Sequence, residues 1–505
     1  MSFPRALAMA GLAGACIGLS GAPDELPALG FLGPLFLTGA LTVDAGRPLR
    51  VGRALLVGMV AATVTNALAL YWVVGLLTTF AGFPLIAAVP TAALLWVAQS
   101  AAFALACAGS SALASKGLPV WITLPACLVV AASLTPTLFP WRLAGTQVPW
   151  TLWVQMAELG GEPLVDLAVA LVGCGAAEAA RRSSTRRRAL PLATAALALL
   201  LPLAYGTVRL PAVRAEREAA PRLRVGVVQP DVGILEKHDP ALVFTHLHLL
   251  QAMTRELEAQ GADLVLWPET AYPFRLPRQA AQDSRGSTAV IQRGVRGPIL
   301  FGSITVDRHG DRYNSAVAME RGGRITGIAD KIELLAFGEY VPLWDWLPPL
   351  QDRFPRGLVP GKEPRVLGLA GARIAVMNCY EDVLPTYGIR VGRQDPDFLV
   401  NLTNDAWFGD TSEPWLHQSV ARMRSVETRR DLVRAVNTGV SSHTLATGED
   451  AARTGTFVRA AFLAEVRLLR GVTPWVRFGD LVTPLLAGAL LGVALALGRR
   501  RGVPT

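Results

Sequence analysis

Residues 262–269 read Ala-Asp-Leu-Val-Leu-Trp-Pro-Glu (ADLVLWPE), a short apolar run stopped by a proline and a carboxylate. A run of this length, bounded in this way, predicts a buried strand. Just before it, residues 240–260 place apolar side chains at helical spacing, and 223–229 (LRVGVVQ) alternates like a strand. Strand, helix and strand in succession predict a layered α/β domain rather than a β sandwich. Further strands are expected at 298–305 (PILFGSIT), 313–320 (YNSAVAME), 373–378 (RIAVMN) and 397–403 (DFLVNLT), with helices at 383–392 and 413–430. Residues 341–365, rich in proline and aromatic residues, predict a long loop. There is no internal repeat or low-complexity segment.

Outward from this block the composition changes. Of 505 residues, 51% are hydrophobic and 17% charged, and 62 consecutive uncharged residues separate Arg53 from Lys116. The net charge of +9 raises nucleic acid as a partner. Residues 222–478, however, hold 31 Lys and Arg against 29 Asp and Glu. The basic excess lies beside apolar segments, in runs such as Arg186–Arg188 and Arg499–Arg501. A nucleic-acid domain concentrates positive charge on its own folded surface. No nucleic acid is expected.

Crossing a bilayer takes ~20 mostly apolar residues. Eight segments qualify: 6–23, 26–43, 54–80, 84–108, 118–139, 163–178, 189–208 and 480–498. Asp166 interrupts the sixth, and Glu158 and Glu162 are assigned to the loop before it. With the N-terminus inside, thirteen basic residues near span ends fall on the cytoplasmic side and only Arg142 on the other, as the positive-inside rule requires. This predicts a seven-span domain at 1–208, an outward-facing domain at 209–479, and a last span with a basic cytoplasmic tail at 480–505. The outward side is the periplasm where a cell has one. Cys16, Cys107, Cys127 and Cys174 lie in apolar segments, so Cys379 is the one cysteine of the charged block. In an oxidising compartment a lone cysteine is inert, paired between molecules, or reactive.

Three polar residues end predicted strands: Glu269 after LVLWP, Lys331 after RITGIAD and Cys379 after RIAVMN. The chain uses 44 Arg and only 4 Lys, so a lysine here runs against composition and suits a task that needs a compact ammonium. A carboxylate, an ammonium and a thiol form a set that acyl-transfer chemistry uses. The ammonium lowers the thiol pKa from about 8.5 and stabilises a tetrahedral oxyanion, with a backbone N–H near Tyr380 as second donor. The carboxylate is the general base. His246 and His248, two apart on a helical stretch, face different sides with no partner at metal spacing. No metal and no cofactor is expected.

These residues and their neighbours resemble the nitrilase (carbon–nitrogen hydrolase) superfamily and, within it, the apolipoprotein N-acyltransferase family. The matching stretches are Trp267-Pro268-Glu269, Asp330-Lys331, FGEYVPL at 337–343, NCYED at 378–382, NLTNDAWFGD at 401–410, 421–442 and GVTPWVRFGD at 471–480. The resemblance implies a multi-pass helical membrane domain with a nitrilase-like αββα soluble domain, in the bacterial inner membrane. It implies catalytic Glu269, Lys331 and Cys379, with Glu339, Tyr380 and Glu381 in support. The implied reaction takes an acyl chain from a membrane phospholipid, holds it as a thioester on Cys379, and passes it to the N-terminal amine of a diacylated apolipoprotein. Asn314 and Trp407 are candidates for lining the substrate site. Trp344 and Trp346, with Phe354, suit a loop that acts as a lid at the membrane interface. The rival reading is a membrane-anchored amidase of the same triad, which passes the acyl group to water.

Overall fold

The structure, a computed structural model, describes residues 3–42, 48–79, 81–140, 142–237, 239–336, 338–341 and 357–499. Two compact units form: Met1–Pro211 with Thr411–Met423 and Phe478–Thr505, and Ala212–Asp410 with Arg424–Arg477.

In the first unit, five described helical stretches are long and apolar enough to cross a membrane: Val51–Ala69, Leu85–Ser115, Ala157–Arg181, Thr185–Ala219 and Leu481–Gly498. Phe3–Gly18, Pro27–Leu41 and Val120–Leu134 are shorter apolar helices. All eight expected segments contain an apolar helix, and the bounds differ most at the third and fourth. The expected 54–80 span breaks after Ala69 and resumes as the short helix Val73–Thr79. The expected 84–108 span runs on to Ser115, as Leu85–Ala98 and Ala101–Ser115. Side chains satisfy the backbone at both breaks. Trp96 Nε1 donates to the Leu70 carbonyl at 3.1 Å, and Asn66 Nδ2 and Ser100 Oγ donate to the Trp96 carbonyl at 2.9 and 2.8 Å. Helices in lipid approach closely through small residues. At Gly58 a Cβ would lie 2.3 Å from the Phe103 carbonyl oxygen, so no larger residue fits there.

The three acids near the sixth span correct the expectation. Glu158 and Glu162 are not loop residues, and the helix runs through Asp166 without interruption. All three lie on Ala157–Arg181, which kinks at Gly161 (φ 61°), and all are buried. Glu158 pairs with Arg209 at 2.7 Å, while Arg142 reaches Glu162 at 3.3 Å and Asp166 at 3.6 Å. The Ala144 N–H donates to Asp166 at 2.7 Å. Pairing lets these charges sit among apolar helices, which hydropathy alone does not reveal.

The second unit stacks two sheets. The first has strand order β13-β1-β2-β4-β5-β6, with β3 beside β4. Its strands are β1 (Arg222–Gln229), β2 (Leu264–Trp267), β3 (Leu276–Pro277), β4 (Ile299–Val306), β5 (Arg312–Met319), β6 (Ile325–Asp330) and β13 (Ala460–Arg467). The second runs β12-β11-β10-β9-β8-β7, from β7 (Val366–Leu369), β8 (Ala372–Asn378), β9 (Phe398–Thr403), β10 (Leu432–Val436), β11 (Ser442–Thr444) and β12 (Asp450–Arg453). Period-2 alternation builds the layers. Val225, Val227, Leu264 and Leu266 face Ile374, Val376, Val400 and Val433 between the sheets. Their neighbours Val228, Val265 and Trp267 pack outward on Leu247, Leu250 and Leu257 of helix Val243–Ala259. The expected helices and strands are present. The strands β7 and β10–β13 were not anticipated, because arginines and acids on β10, β12 and β13 obscure any apolar pattern.

Asp431, at the start of β10, ties several of these elements together. It is fully buried and accepts from Arg217 Nε at 3.0 Å, the Ala446 N–H at 2.9 Å and the Arg467 N–H at 3.0 Å, with His443 Nε2 at 3.3 Å. Burial by itself raises its pKa, but hydrogen bonds from His443 and Arg217 outweigh that and hold it at about 2. A carboxylate depressed in the folded state stabilises above its unfolded pKa, and that stabilisation disappears as pH falls through the folded value. Asp431→Asn is therefore expected to cost about 3–5 kcal/mol at neutral pH, the range for breaking a buried ion pair. In thermal melts, the gap between wild type and variant should narrow, by roughly 2.5 kcal/mol, as pH falls from 3.8 to about 2. A gap that stays constant over that window would contradict this role.

Candidate active site

The sheet order brings the three strand-end residues together. β2 is parallel to β4, and β6 is antiparallel to β5, which is itself antiparallel to β4. β2 and β6 therefore run the same way, and their C-terminal ends, carrying Glu269 and Lys331, share one edge. The link to β8 in the other sheet is Glu381. Its carboxylate accepts the Asn378 N–H at 2.7 Å, and the Ile332 and Glu333 N–H groups at 2.6 and 3.1 Å. One buried side chain thus holds the start of the Cys379 turn against the segment after Lys331. Burial pushes Glu381 up to about 7, against the pull of those N–H groups and of Lys331.

Lys331 is 2% exposed. Its Nζ lies 2.8 Å from Glu339 Oε2 and 3.3 Å from Glu269 Oε1. Burial alone lowers a lysine pKa, but the charges of Glu269, Cys379 and Glu339 outweigh it and hold Lys331 well above the usual range. It is an ammonium at every physiological pH. Asn314, on β5, is buried. Its Nδ2 donates to Glu269 at 2.6 Å and to Glu339 at 3.0 Å, so it sets the spacing of the two carboxylates around the ammonium. Glu339 is fixed in turn by the Leu335 N–H at 2.9 Å.

Cys379 opens the turn after β8 with φ 49°, left-handed for a residue that is not glycine. Such a conformation persists only where its surroundings over-determine it. Asn401 Nδ2 donates to the Cys379 carbonyl at 2.9 Å and to the Met377 carbonyl at 3.1 Å. At the end of the same turn Asp382 forms a fully buried ion pair with Arg434 of β10. Tyr380 follows the thiol in the turn, and burial pushes its phenol up to about 12. Trp407, on the turn Asp405–Phe408, is 39% exposed. Trp344, Trp346 and Phe354, and with them the lid expectation, fall outside the described residues.

Sequence reading missed Asn401, Arg434 and Lys237. Lys237 Nζ donates to the Glu269 carbonyl at 3.1 Å and to Thr270 Oγ1 at 2.7 Å. The signal for it was present, since it is one of only 4 lysines.

The comparisons with known proteins fit this arrangement. Residues 224–468 match the carbon-nitrogen hydrolase family and 13–175 the apolipoprotein N-acyltransferase N-terminal domain. An apolipoprotein N-acyltransferase of Geobacter metallireducens is 31% identical, over 89% of this chain and 88% of its own. The chain belongs to the apolipoprotein N-acyltransferase family. Another member, from Azotobacter vinelandii, is 34% identical over 72% of this chain and 69% of its own. The protein is thus an acyltransferase with a nitrilase-like domain and apolar membrane helices.

Gly302 of β4 sets the height of Glu269. A Cβ there would lie 2.4 Å from the Thr270 nitrogen and 2.6 Å from Glu269 Cα, while the Gly302 N–H donates to the Pro268 carbonyl at 3.1 Å. Backbone atoms cannot yield to such a contact without moving the turn. Gly302→Ala is expected to displace Glu269 and lower acyltransferase activity ~100-fold, the scale set by ångström misplacement, with circular dichroism unchanged. Activity within twofold of wild type would contradict this.

Proposed function

We propose that this acyltransferase moves an acyl chain from a membrane phospholipid to the α-amine of the diacylglyceryl-cysteine that begins an apolipoprotein, through a thioester on Cys379. The observation that carries the reading is the buried Glu269–Lys331–Glu339 cluster, with Lys331 sensing the charge of Cys379.

In the first half, Glu269 takes the thiol proton and the thiolate sulfur attacks the ester carbonyl carbon. The permanent ammonium of Lys331 stabilises the oxyanion. The intermediate collapses with cleavage of the ester C–O bond. Glu269 returns its proton to the departing alkoxide, releasing a lysophospholipid. In the second half, the α-amine attacks the thioester carbonyl and loses a proton to Glu269. The C–S bond breaks, and the thiolate regains that proton. An amide forms and the enzyme is restored. Glu339 and Asn314 do not move protons in this scheme. They keep Lys331 charged and Glu269 aimed. The eight apolar helices and the basic residues at their ends support a bacterial inner-membrane location with the catalytic unit facing the periplasm.

Mass spectrometry of the intact protein after incubation with phospholipid is expected to show one acyl adduct on Cys379, absent from Cys379→Ala. Adding a diacylated lipopeptide should discharge the adduct and yield a triacylated peptide. Free fatty acid without triacylated peptide would instead support the hydrolase reading, and no adduct at all would overturn the thioester.

A further inference from the structure

The site holds a second lysine that the triad chemistry does not use. Lys237 ends the short helix Ile234–Lys237, and the loop leading into that helix is clamped by Asn437 at the end of β10. The Asp231 N–H donates to the Asn437 carbonyl at 3.1 Å, the Val232 N–H to Asn437 Oδ1 at 3.0 Å, and Asn437 Nδ2 to the Val232 carbonyl at 2.8 Å. The Lys237 N–H closes the helical turn on the Gly233 carbonyl at 2.8 Å. The side chain is delivered from that anchored loop to the Pro268-Glu269-Thr270 turn. There it holds the backbone carbonyl of Glu269 and the hydroxyl of Thr270, a residue itself left-handed at φ 48°. Lys331 reaches the carboxylate of Glu269 and Lys237 reaches its carbonyl. Two of the chain's four lysines therefore converge on one residue, in a protein that otherwise uses arginine. One compact ammonium meets a carbonyl and a hydroxyl at once.

We propose that Lys237 is a positioning residue: its ammonium fixes the turn that aims Glu269 and adds a second positive charge at Cys379. The inference rests on the thioester reading above for its link to acyl transfer, but its effect on the thiol stands separately. The titratable groups that interact with Lys237 are Glu269 and Cys379 across the site and His246 on helix Val243–Ala259, which Glu236 and Asp239 also influence. Burial lowers its pKa more than Glu269 and Cys379 raise it, to about 8. The ammonium and its effect are present below that pH and fade as pH rises through it.

The test compares Lys237→Met, close in shape but uncharged, Lys237→Arg, charged but planar, and Thr270→Val, which keeps the lysine and removes its hydroxyl acceptor. All are made in the full-length protein in detergent. The first readout is the pH dependence of Cys379 alkylation by iodoacetamide, located by peptide mapping. A nearby cation favours the thiolate, so Lys237→Met is expected to move the alkylation midpoint up by about 1 unit, while Lys237→Arg leaves it close to wild type. The second readout is the rate of acyl-adduct formation from phospholipid. It should fall at least tenfold in Lys237→Met and detectably in Thr270→Val, and the decline of the wild-type rate above pH 8 should vanish in Lys237→Arg. An alkylation midpoint for Lys237→Met equal to wild type would overturn the proposal, as would an unchanged adduct rate in Thr270→Val should the Lys237 variants fail to fold. Shifted alkylation midpoints in a protein whose wild type takes no acyl group from phospholipid would leave this inference standing and remove the thioester reading.

Discussion

Lys331 holds its charge out of water, and the desolvation of such an ion costs several kcal/mol before any partner repays it. Glu269 and Glu339 lie within ion-pair distance of the one ammonium, and Asn314 bonds both acids. Without Lys331 two buried carboxylates would be left without a cation, so both acids depend on that ammonium. That constraint explains why the loop carrying Glu339 is tied back to Leu335 and why Asn314 is spent inside the protein. It also fixes the electrostatics of the site. An ammonium held well above the usual lysine range is a source of positive potential toward the thiol before any substrate binds.

The two sheets turn that cluster into a site. Parallel alignment of β2 and β6 brings the Glu269 carboxylate and the Lys331 ammonium to one edge, but the Cys379 thiol belongs to the other sheet. Glu381 closes the gap with three backbone hydrogen bonds, two to the segment after Lys331 and one to the residue before Cys379. Asn401 and the Arg434–Asp382 pair hold the other sides of the turn, and together these contacts explain how Cys379 remains in a left-handed conformation. Gly302 does the matching work under Glu269, where backbone lies on backbone and leaves no room for a side chain.

The membrane unit follows the same electrostatic rule under harsher conditions. Glu158, Glu162 and Asp166 are buried on one kinked helix, and each reaches an arginine from a different part of the unit. A hydropathy scan reads such acids as interruptions or loop residues. Their pairing lets them sit buried on either side of the kink, and the pairing is a property of neighbours tens of residues away in sequence.

Much of this protein was legible in its residues. Runs of uncharged residues locate the apolar helices, because nothing else tolerates that length without a charge. Alternation at 223–229, 262–269 and 373–378 marks strands with two unlike faces, and the strand ends name Glu269, Lys331 and Cys379. Pattern could not reveal where the spans break between Ala69 and Val73 or at Gln99, since hydrogen bonds from Trp96, Asn66 and Ser100 decide that. Nor could it reveal β10, whose Arg434 reads as a surface charge until Asp382 meets it, or the tasks of Asn314, Glu381 and Lys237. Local periodicity reports which face of an element avoids water. Which buried charge finds its partner depends on contacts between residues tens or hundreds of positions apart, and only the folded chain brings them within bonding distance.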